Sequence, residues 1–349
     1  MKKTTIGQTD IEVSAVCLGA MGFSENPKDA RAWSVDYETS KQIIQKALEE
    51  GMNFFDTAPV YSNGSSEKAL GMALKDLNVL RKDVVISTKF YPLSNKEREQ
   101  GVNINDHVRS WLEGSLKRLQ TEYVDLYYLH MWDWNTPVEE LLEVLDELKQ
   151  EGKIRAYGLS NAWPWQIAMA NEKAIARGME PFAAVQNQWN LISREDEVAM
   201  QECLSHYGMT AIPYASLAAG RLARPAGTKT KRSETDKYGE KKFSTQKEAD
   251  GKVIEDLENI ATSLNAAMSS VALAWLSAKG AIPLAGATKP QQIEGLAEAA
   301  NLSLDLQSIE RLEQNYVPHV MTGVLAEHTP DQDCYEVYGV YNMDEITAK

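Results

Sequence analysis

The feature that most constrains the fold of this chain is a regular alternation of short apolar runs with helical patterns. The runs are rich in Val, Ile, Leu and Tyr, which is typical of parallel strands buried on both faces. Between them, apolar residues recur with the period of a helix that packs one face on a sheet. The predicted strands are residues 15–18, 53–55, 84–87, 123–129, 154–159, 183–186, 210–213 and 282–284.

Eight strand–helix units in succession favour a closed parallel barrel over an open doubly wound sheet. An open dinucleotide-binding sheet would carry a GxGxxG pattern after its first strand, and residues 19–24 (Gly-Ala-Met-Gly-Phe-Ser) lack it. Residues 4–6 and 11–13 predict a short hairpin ahead of the barrel. We therefore expect an α/β fold, a (β/α)8 TIM barrel with an N-terminal β-hairpin, in a single domain of residues 1–320.

Two segments depart from the repeating pattern. Residues 221–250 follow the seventh strand and are polar and rich in lysine, and so long a loop is typical of a lid or a disordered segment. Residues 321–349 form a C-terminal extension with six acidic residues and with Tyr335, Tyr338 and Tyr341 spaced three apart. This tail could cover the mouth of a site or a neighbouring subunit of a homo-oligomer, or it could pack on the barrel wall.

The composition argues against several classes of partner. A formal net charge of −14 disfavours a nucleic-acid or anionic-membrane surface, since both need clustered Lys and Arg. Cys17, Cys203 and Cys334 lie far apart in sequence, which indicates a reducing compartment rather than a disulfide framework. The sequence has no signal-peptide pattern and no run near the roughly 18 apolar residues of a membrane span. We expect a cytoplasmic protein that acts on a small molecule.

Functional side chains of a (β/α)8 barrel project from the carboxyl ends of its strands. Polar residues occupy these positions after six successive predicted strands, so we expect them to converge on one cavity. They are Asp56 and Tyr61 after the second strand, Lys89 after the third, His130 after the fourth, Ser160 and Asn161 after the fifth, Gln186 after the sixth and Tyr214 after the seventh.

Four of these residues together suit the reduction of a carbonyl group. That reaction needs a proton donor, a hydrogen bond that polarises the carbonyl oxygen, and a bound cofactor. Tyr61 can donate a proton, and a nearby Lys89 ammonium would lower the pKa of its phenol. Asp56 can keep Lys89 charged and oriented, and His130 can donate a hydrogen bond to the substrate oxygen.

Two other interpretations of the same residues remain open. A lysine at the end of a barrel strand can form an imine, so Lys89 could belong to a Schiff-base aldolase. His130 could bind a metal together with Asp133, but no second histidine lies nearby in the sequence, so we expect no metal site.

The strand-end motifs closely resemble the catalytic motifs of the aldo-keto reductases. Residues 56–61 are Asp-Thr-Ala-Pro-Val-Tyr, residues 87–89 are Ser-Thr-Lys and residues 128–130 are Tyr-Leu-His. The stretch 130–137 (His-Met-Trp-Asp-Trp-Asn-Thr-Pro) is similar to the bacterial aryl-alcohol dehydrogenase-type branch. The resemblance implies an NADPH-dependent reductase of aldehydes or ketones, with Tyr61 as the proton donor.

The resemblance also implies a set of cofactor-binding residues. Ser160, Asn161 and Gln186 would hold the nicotinamide carboxamide, and Tyr214 would stack on its ring. The remaining members are Met21, Gly22 and Asp56 near the first two strands, Leu217 and Gly220 at the pyrophosphate, and Gly286, Thr288, Lys289 and Gln292 at the adenosine phosphate. A lysine and a hydroxyl before a helix suit a 2′-phosphate, so NADPH is expected rather than NADH.

Aromatic residues near the strand ends predict the substrate class. Phe23, Tyr91 and Trp132 would line a pocket for an aryl or alkyl carbonyl compound. The same resemblance leaves a second hypothesis open: an NADPH-binding, redox-sensing regulatory subunit with slow turnover, in which the C-terminal tail would bind a partner.

Overall fold

The computed structural model describes residues 1–26, 31–243, 247–333 and 335. The chain begins with an antiparallel hairpin of β1 (Lys3–Thr5) and β2 (Glu12–Ser14), as expected. Ile6, Ile11 and Val13 of this hairpin are fully buried and pack with apolar side chains from inside the barrel. The hairpin therefore closes the amino-terminal end of the barrel.

Eight parallel strands form the barrel that the alternating pattern predicts. Their order is β10-β3-β4-β5-β6-β7-β8-β9, and the circle closes where the backbone N–H of Leu284 donates to the carbonyl of Pro213 at 3.1 Å. The strands are β3 (Cys17–Gly19), β4 (Phe54–Asp56), β5 (Val85–Phe90), β6 (Val124–Leu129), β7 (Ile154–Ser160), β8 (Ala184–Gln186), β9 (Thr210–Ala211) and β10 (Leu284–Ala285).

Helices surround the strands and bury their apolar faces against them. Several begin at a capping side chain, such as Asp36, Asn103 and Asp305, each of which accepts a hydrogen bond from the backbone N–H three residues later. The helices are α1 (Tyr37–Glu49), α2 (Ser65–Asp76), α3 (Asn95–Glu99), α4 (Ile104–Leu119), α5 (Val138–Gln150), α6 (Pro164–Ala176), α7 (Met200–Tyr207), α8 (Lys231–Thr235), α9 (Lys237–Phe243), α10 (Lys247–Ser263), α11 (Met268–Ala278), α12 (Gln292–Ala299), α13 (Leu306–Glu313) and α14 (Val324–Glu327).

The polar segment 221–250 is not the unstructured loop that its composition suggests. Its described residues form α8, α9 and the start of α10, which corrects that expectation. A capping box at Thr230 begins α8, and Asp236 accepts a hydrogen bond from the backbone N–H of Gly239 at 3.0 Å near the start of α9. Arg232 lies over the ring of Trp33 at 4.2 Å, so the segment is held by contacts with the loop after β3.

The described part of the C-terminal extension, residues 321–333 and 335, packs on loops at the carboxyl ends of the strands. The Nε2 atom of His328 lies 2.9 Å from the backbone oxygen of Trp132, after β6. Tyr335 is buried and donates a hydrogen bond to the carbonyl of Pro92, after β5, at 3.1 Å. Tyr338 and Tyr341 lie outside the described residues. The tail thus covers part of the barrel mouth.

Within the described ranges, no single helix combines the length and the apolar character needed to cross a bilayer. By length and composition alone, α10 and α11 pass that test together, but they are bent by 101° relative to each other.

Candidate active site

A buried ion pair lies at the carboxyl ends of β4 and β5. Lys89 Nζ donates to Asp56 Oδ1 at 2.7 Å and to the carbonyl of Thr57 at 2.8 Å, and both charged residues are at most 1% exposed. The other oxygen of Asp56 accepts hydrogen bonds from Ser87 Oγ at 2.7 Å and from Gln186 Nε2 at 3.0 Å. A buried ion pair is tolerated when its remaining polar atoms are also bonded, as they are here.

The charge on Lys89 is favoured by its neighbours. Burial alone would lower the pKa of this amine, but Asp56 and Tyr61 outweigh that effect, and the pKa is raised above its ordinary value. The amine is therefore protonated at neutral pH and already hydrogen-bonded. A Schiff-base aldolase needs an unprotonated, accessible amine, so this environment disfavours that interpretation.

Tyr61 lies beside the ammonium, on the loop that follows β4. Lys89 Nζ is 5.1 Å from the centroid of the Tyr61 ring. Burial raises the pKa of the Tyr61 hydroxyl, and Lys89 acts in the predicted direction by lowering it. Burial is the larger effect, so the pKa lies above its ordinary value and the hydroxyl keeps its proton. The sequence predicted that Lys89 lowers the pKa of Tyr61. It does act in that direction, but the net pKa is raised because burial has the larger effect.

His130 follows β6 and completes the group of four. Its ring meets Tyr61 edge to face at 6.0 Å and stacks on Tyr91 at 4.8 Å between centroids. Burial and the charge of Lys89 hold the pKa of His130 well below its ordinary value, so the imidazole is neutral. Its Nδ1 atom is buried and has no hydrogen-bond partner among the described residues, and a buried polar atom of this kind is a common feature of sites that bind a ligand.

An amide and hydroxyl network adjoins these four residues. Ser160 Oγ donates to the carbonyl of Gln186 at 2.7 Å, and Asn161 Nδ2 donates to the carbonyl of His130 at 2.9 Å. The Tyr214 hydroxyl donates to Asn161 Oδ1 at 2.9 Å. The four residues expected to hold the nicotinamide therefore lie together, next to Asp56 and His130.

The backbone after β9 turns in an unusual conformation. Ala218, Ala219 and Gly220 have φ values of 46°, 56° and 95°, a run that costs energy for the two alanines and that occurs mainly at functional sites. Gly220 has a φ value that favours glycine, and a Cβ atom there would lie 2.9 Å from the flexible guanidinium end of Arg224. Leu217 immediately precedes the turn.

Two arginines bring positive charge to this turn. Burial, together with the charge of nearby Arg232, lowers the pKa of Arg224, and burial lowers that of Arg221. Arg221 also lies 3.8 Å from Asp250, whereas no ion pair is formed by Arg224 among the described residues. Guanidinium groups suit the oxygen atoms of a phosphate. Nothing in the sequence distinguishes Arg224 from the other basic residues of the polar segment.

The residues before α12 are arranged around a side-chain cap. Gln292 Oε1 accepts hydrogen bonds from the backbone N–H groups of Thr288 at 2.7 Å and of Lys289 at 3.1 Å. Lys289 and Gly286 are exposed. Gln292 thus binds the start of its own helix, which leaves Lys289 as the available cation there.

The remaining predicted residues divide into two groups. Tyr91 and Trp132 are buried at the strand ends, and Tyr91 joins the site through its stack on His130. Phe23, also predicted to line the substrate pocket, is fully buried in the apolar core. Of the predicted cofactor residues, Gly22 packs against Trp33, and Met21 lies in the same loop after β3. In the described part of the chain, no group of three or more His, Cys, Asp or Glu residues could hold a metal ion.

Asp133, the residue considered as a metal ligand together with His130, forms an ion pair with Arg98. Arg98 donates to both of its carboxylate oxygens, at 2.7 and 3.0 Å.

The fold and site define a (β/α)8-barrel protein with a buried Asp–Lys pair beside a tyrosine and a histidine. The Aldo/keto reductase family model matches residues 15–316, so the chain belongs to the aldo/keto reductase family and is an oxidoreductase. The family and the barrel inferred from the motifs are thereby confirmed.

Relatives and solved structures agree with this assignment. The chain is 32% identical to the versiconal hemiacetal acetate reductase of Aspergillus parasiticus over 338 residues, which cover 91% of this chain and 98% of the relative. It is 29% identical to a Schizosaccharomyces pombe protein assigned by name to the aryl-alcohol dehydrogenases, with 91% and 96% covered. The structure of the glycerol dehydrogenase from Gluconobacter oxydans superposes with a TM-score of 0.75 at 27% identity, covering 92% of this chain and 98% of that one.

Proposed function

We propose that this protein is an NADPH-dependent reductase that converts aldehydes or ketones to alcohols, with Tyr61 as the proton donor. The observation that carries the proposal is the buried Lys89–Asp56 pair, with Lys89 Nζ 5.1 Å from the centroid of the Tyr61 ring and the His130 ring edge to face with Tyr61 at 6.0 Å between centroids. A phenol, an ammonium and a neutral imidazole in one cavity supply the proton transfer and the oxyanion stabilisation that carbonyl reduction requires.

Each of these residues has one role in the proposed reaction. Tyr61 keeps its proton at neutral pH and gives it to the oxygen on which negative charge develops. The Lys89 ammonium stabilises the phenolate that remains, and Asp56 keeps Lys89 charged and directed at Tyr61. His130 donates a hydrogen bond to the carbonyl oxygen and so orients the substrate.

The chemistry of the neighbouring groups supports a nicotinamide cofactor, which would supply the hydride. Ser160, Asn161 and Gln186 offer amide and hydroxyl groups beside Asp56, and Tyr214 offers an aromatic face. The cationic side chains, Arg221 and Arg224 after β9 and Lys289 before α12, suit the phosphates. An exposed lysine next to Thr288 favours NADPH over NADH, since the two cofactors differ by the 2′-phosphate.

The aromatic lining supports an aryl or alkyl carbonyl as the substrate. Tyr91 stacks on His130 at 4.8 Å between ring centroids, and Trp132 lies two residues after His130 in the loop that follows β6. Aromatic side chains at these positions can pack on a planar or apolar group. The alternative of a redox-sensing regulatory subunit has less support, because Asp333 and Tyr335 of the tail bind loops of their own chain rather than leaving a free surface for a partner.

Fluorescence titration with NADPH and NADH, followed by turnover on a panel of aryl and alkyl aldehydes, tests the proposal. We expect tighter binding of NADPH and repeated turnover with at least one class of aldehyde. A single slow oxidation of bound NADPH with every aldehyde would instead support the regulatory subunit. Absence of binding of either cofactor would exclude both functions.

A further inference from the structure

Lys242 is a buried lysine that lies on the ring of Tyr214, and the proposed reaction does not use it. It belongs to α9 and is 7% exposed. Its Nζ atom is 4.6 Å from the centroid of the Tyr214 ring and donates a hydrogen bond to the Tyr214 hydroxyl at 3.5 Å. Close packing against Gly323 helps to hold it there, because a Cβ at that glycine would lie only 3.0 Å from Nζ.

Tyr214 links this lysine to the proposed nicotinamide site. Its hydroxyl accepts the hydrogen bond from Lys242 and donates one to Asn161 Oδ1 at 2.9 Å. Asn161 in turn donates to the carbonyl of His130. A charge on Lys242 therefore lies two hydrogen bonds from the amide that would hold the carboxamide, and directly on the aromatic ring that would stack on the nicotinamide.

Few negatively charged groups lie near the Lys242 amine to offset its positive charge. Among the described residues, no carboxylate forms an ion pair with it, and Glu327 pairs instead with the adjacent Lys241 at 3.4 Å. The titratable or charged groups that face it are Tyr238, Lys241 and Asp236 on or beside α9, Tyr214 after β9, Glu327 on α14, and Glu195, Asp196 and His319 across a small cavity.

Burial is the main influence on the charge of this amine. It lowers the pKa of Lys242 to about 7, because the attraction of Glu327 and Asp236 is smaller than the cost of burying the charge. The amine is thus mostly protonated below neutral pH and mostly neutral above it.

We propose that Lys242 is a positioning residue that sets the relative affinity of the site for oxidised and reduced nicotinamide. The inference rests on the proposed function, because it requires the cofactor to bind beside Tyr214. The nicotinamide ring of NADP⁺ is positively charged and that of NADPH is neutral. A protonated Lys242 on Tyr214 repels the oxidised ring and leaves the affinity for the reduced ring almost unchanged.

The expected consequence is a preference for NADPH that depends on pH. We expect the protonated amine to weaken NADP⁺ binding relative to NADPH by roughly three- to tenfold, the size of a partly screened interaction between like charges. Release of the oxidised cofactor is therefore favoured below neutral pH. The preference declines as pH rises through the pKa of Lys242, about 7.

The test is the ratio of the dissociation constants of NADP⁺ and NADPH, measured by quenching of protein fluorescence from about pH 6 to about pH 8.5. Both cofactors carry the 2′-phosphate, so its ionisation cancels in the ratio. For the natural chain, we expect the ratio to fall with rising pH. A flat ratio would overturn the inference without any variant.

Substitutions at Lys242 separate charge from structure. Lys242→Met is neutral at every pH, so we expect a low ratio of the NADP⁺ to the NADPH dissociation constant that does not change with pH. Lys242→Arg stays cationic throughout, so we expect a high ratio that does not change. Retention of the natural pH dependence in either variant would contradict the proposal, and the arginine variant decides the question if the methionine variant does not fold.

Two matched controls complete the experiment. Lys241→Met removes one charge from the adjacent residue, whose side chain is 72% exposed, and should keep the natural profile. Asp196→Asn is needed because burial raises the pKa of Asp196 to about 7, in the same range. A profile lost in Asp196→Asn but kept in Lys242→Met would overturn the inference. If the natural chain binds neither cofactor form, the proposed function itself fails, and that outcome is distinct from a flat ratio.

Discussion

At the scale of single residues, burial decides which protonation state each group at the site adopts. It raises the pKa of Tyr61 and lowers that of His130, so the phenol keeps its proton and the imidazole is neutral. Lys89 is fully buried, yet it stays charged because Asp56, 2.7 Å away, and Tyr61 favour the ammonium. One group of neighbouring side chains thus combines a protonated phenol, a neutral imidazole and a fixed positive charge.

Replacing Tyr61 with phenylalanine removes only the proposed proton donor. We expect turnover to fall by roughly 10²- to 10⁴-fold, the usual contribution of general acid catalysis. NADPH affinity should stay nearly unchanged, because the ring remains in place. Steady-state NADPH oxidation and fluorescence titration measure the two quantities. Tyr37→Phe removes a hydroxyl that bonds Asp76 on the barrel exterior and serves as control. Turnover near the natural rate in Tyr61→Phe would exclude Tyr61 as the donor.

The pKa directions also predict the pH profile of reduction at saturating NADPH. His130 has a pKa well below its ordinary value, so no loss of activity is expected near pH 6.5 on the acid side. The raised pKa of Tyr61 means that the acid form is present below that pKa and is lost above it. Activity should therefore persist at least to about pH 10, the ordinary value of a phenol. A decline centred near pH 8 in the rate of a single turnover, which does not depend on release of NADP⁺, would contradict this assignment.

At the scale of secondary-structure elements, the proposed reacting groups lie at or just after the carboxyl ends of the strands, and two connecting segments pack near them. The segment that contains α8 and α9 contacts the loop after β3 through Arg232 and Trp33. The C-terminal tail contacts the loops after β5 and β6 through Tyr335 and His328. The first segment carries Lys242 beside Tyr214, and the second carries Tyr335 beside Tyr91. We therefore expect the first to influence the cofactor and the second the carbonyl substrate.

Tyr335 of the tail is expected to influence the carbonyl substrate. Its ring lies 5.8 Å from that of Tyr91, which stacks on His130. Tyr335→Ala should raise the KM for an aryl aldehyde by roughly tenfold, because aromatic contact area beside the site is lost, while the Kd for NADPH stays unchanged. Tyr335→Phe keeps the ring and should remain close to the natural KM. An unchanged KM in the alanine variant would show that the tail does not shape the pocket.

Lys289, before α12, is expected to distinguish the two cofactors. Removing its charge in Lys289→Ala should weaken NADPH binding by roughly tenfold, as expected for a charge-assisted contact with phosphate. NADH has no 2′-phosphate and should bind with little change, which makes it the internal control. Fluorescence titration measures both affinities. Equal losses for the two cofactors would remove the proposed role of Lys289.

At the scale of the whole molecule, the barrel has two apolar cores. One lies between the strands and the surrounding helices, and the other fills the barrel interior below the site. The N-terminal hairpin contributes Ile6, Ile11 and Val13 to the interior core, next to Phe54 of β4. The hairpin therefore stabilises the barrel at the end opposite to the site.

Truncating one hairpin residue should lower stability without changing the chemistry. Ile11 is 1% exposed, and Ile11→Ala should lower the free energy of unfolding by about 2–5 kcal/mol through lost burial and a residual cavity. Turnover per folded molecule should be unchanged. Urea denaturation measures the free energy of unfolding, and active-site titration gives the turnover per folded molecule. Thr4→Ala, on an exposed position of the same hairpin, should change stability by less than about 0.5 kcal/mol.

The strand–helix pattern predicted the barrel, and the strand-end positions predicted which side chains would lie together at its carboxyl end. Strand periodicity is a local property, and eight strand–helix units leave few other ways to bury eight two-sided strands. Because all parallel strands end on one face, Asp56, Lys89 and His130 could be placed together without knowledge of any distance. The helices within residues 221–250 could not be predicted in this way. Their sequence is polar and lacks an apolar helical period, and contacts with distant loops stabilise them.

The protonation states and the side-chain contacts of the site follow only from the folded chain. The net pKa of Tyr61 depends on how far burial outweighs the charge of Lys89, and no local pattern encodes that balance. The contact of Lys242 with Tyr214 joins residues 28 positions apart, and that of Tyr335 with the carbonyl of Pro92 joins residues 243 apart. Such effects arise from distances and solvent exclusion between remote segments, which exist only once the chain has folded.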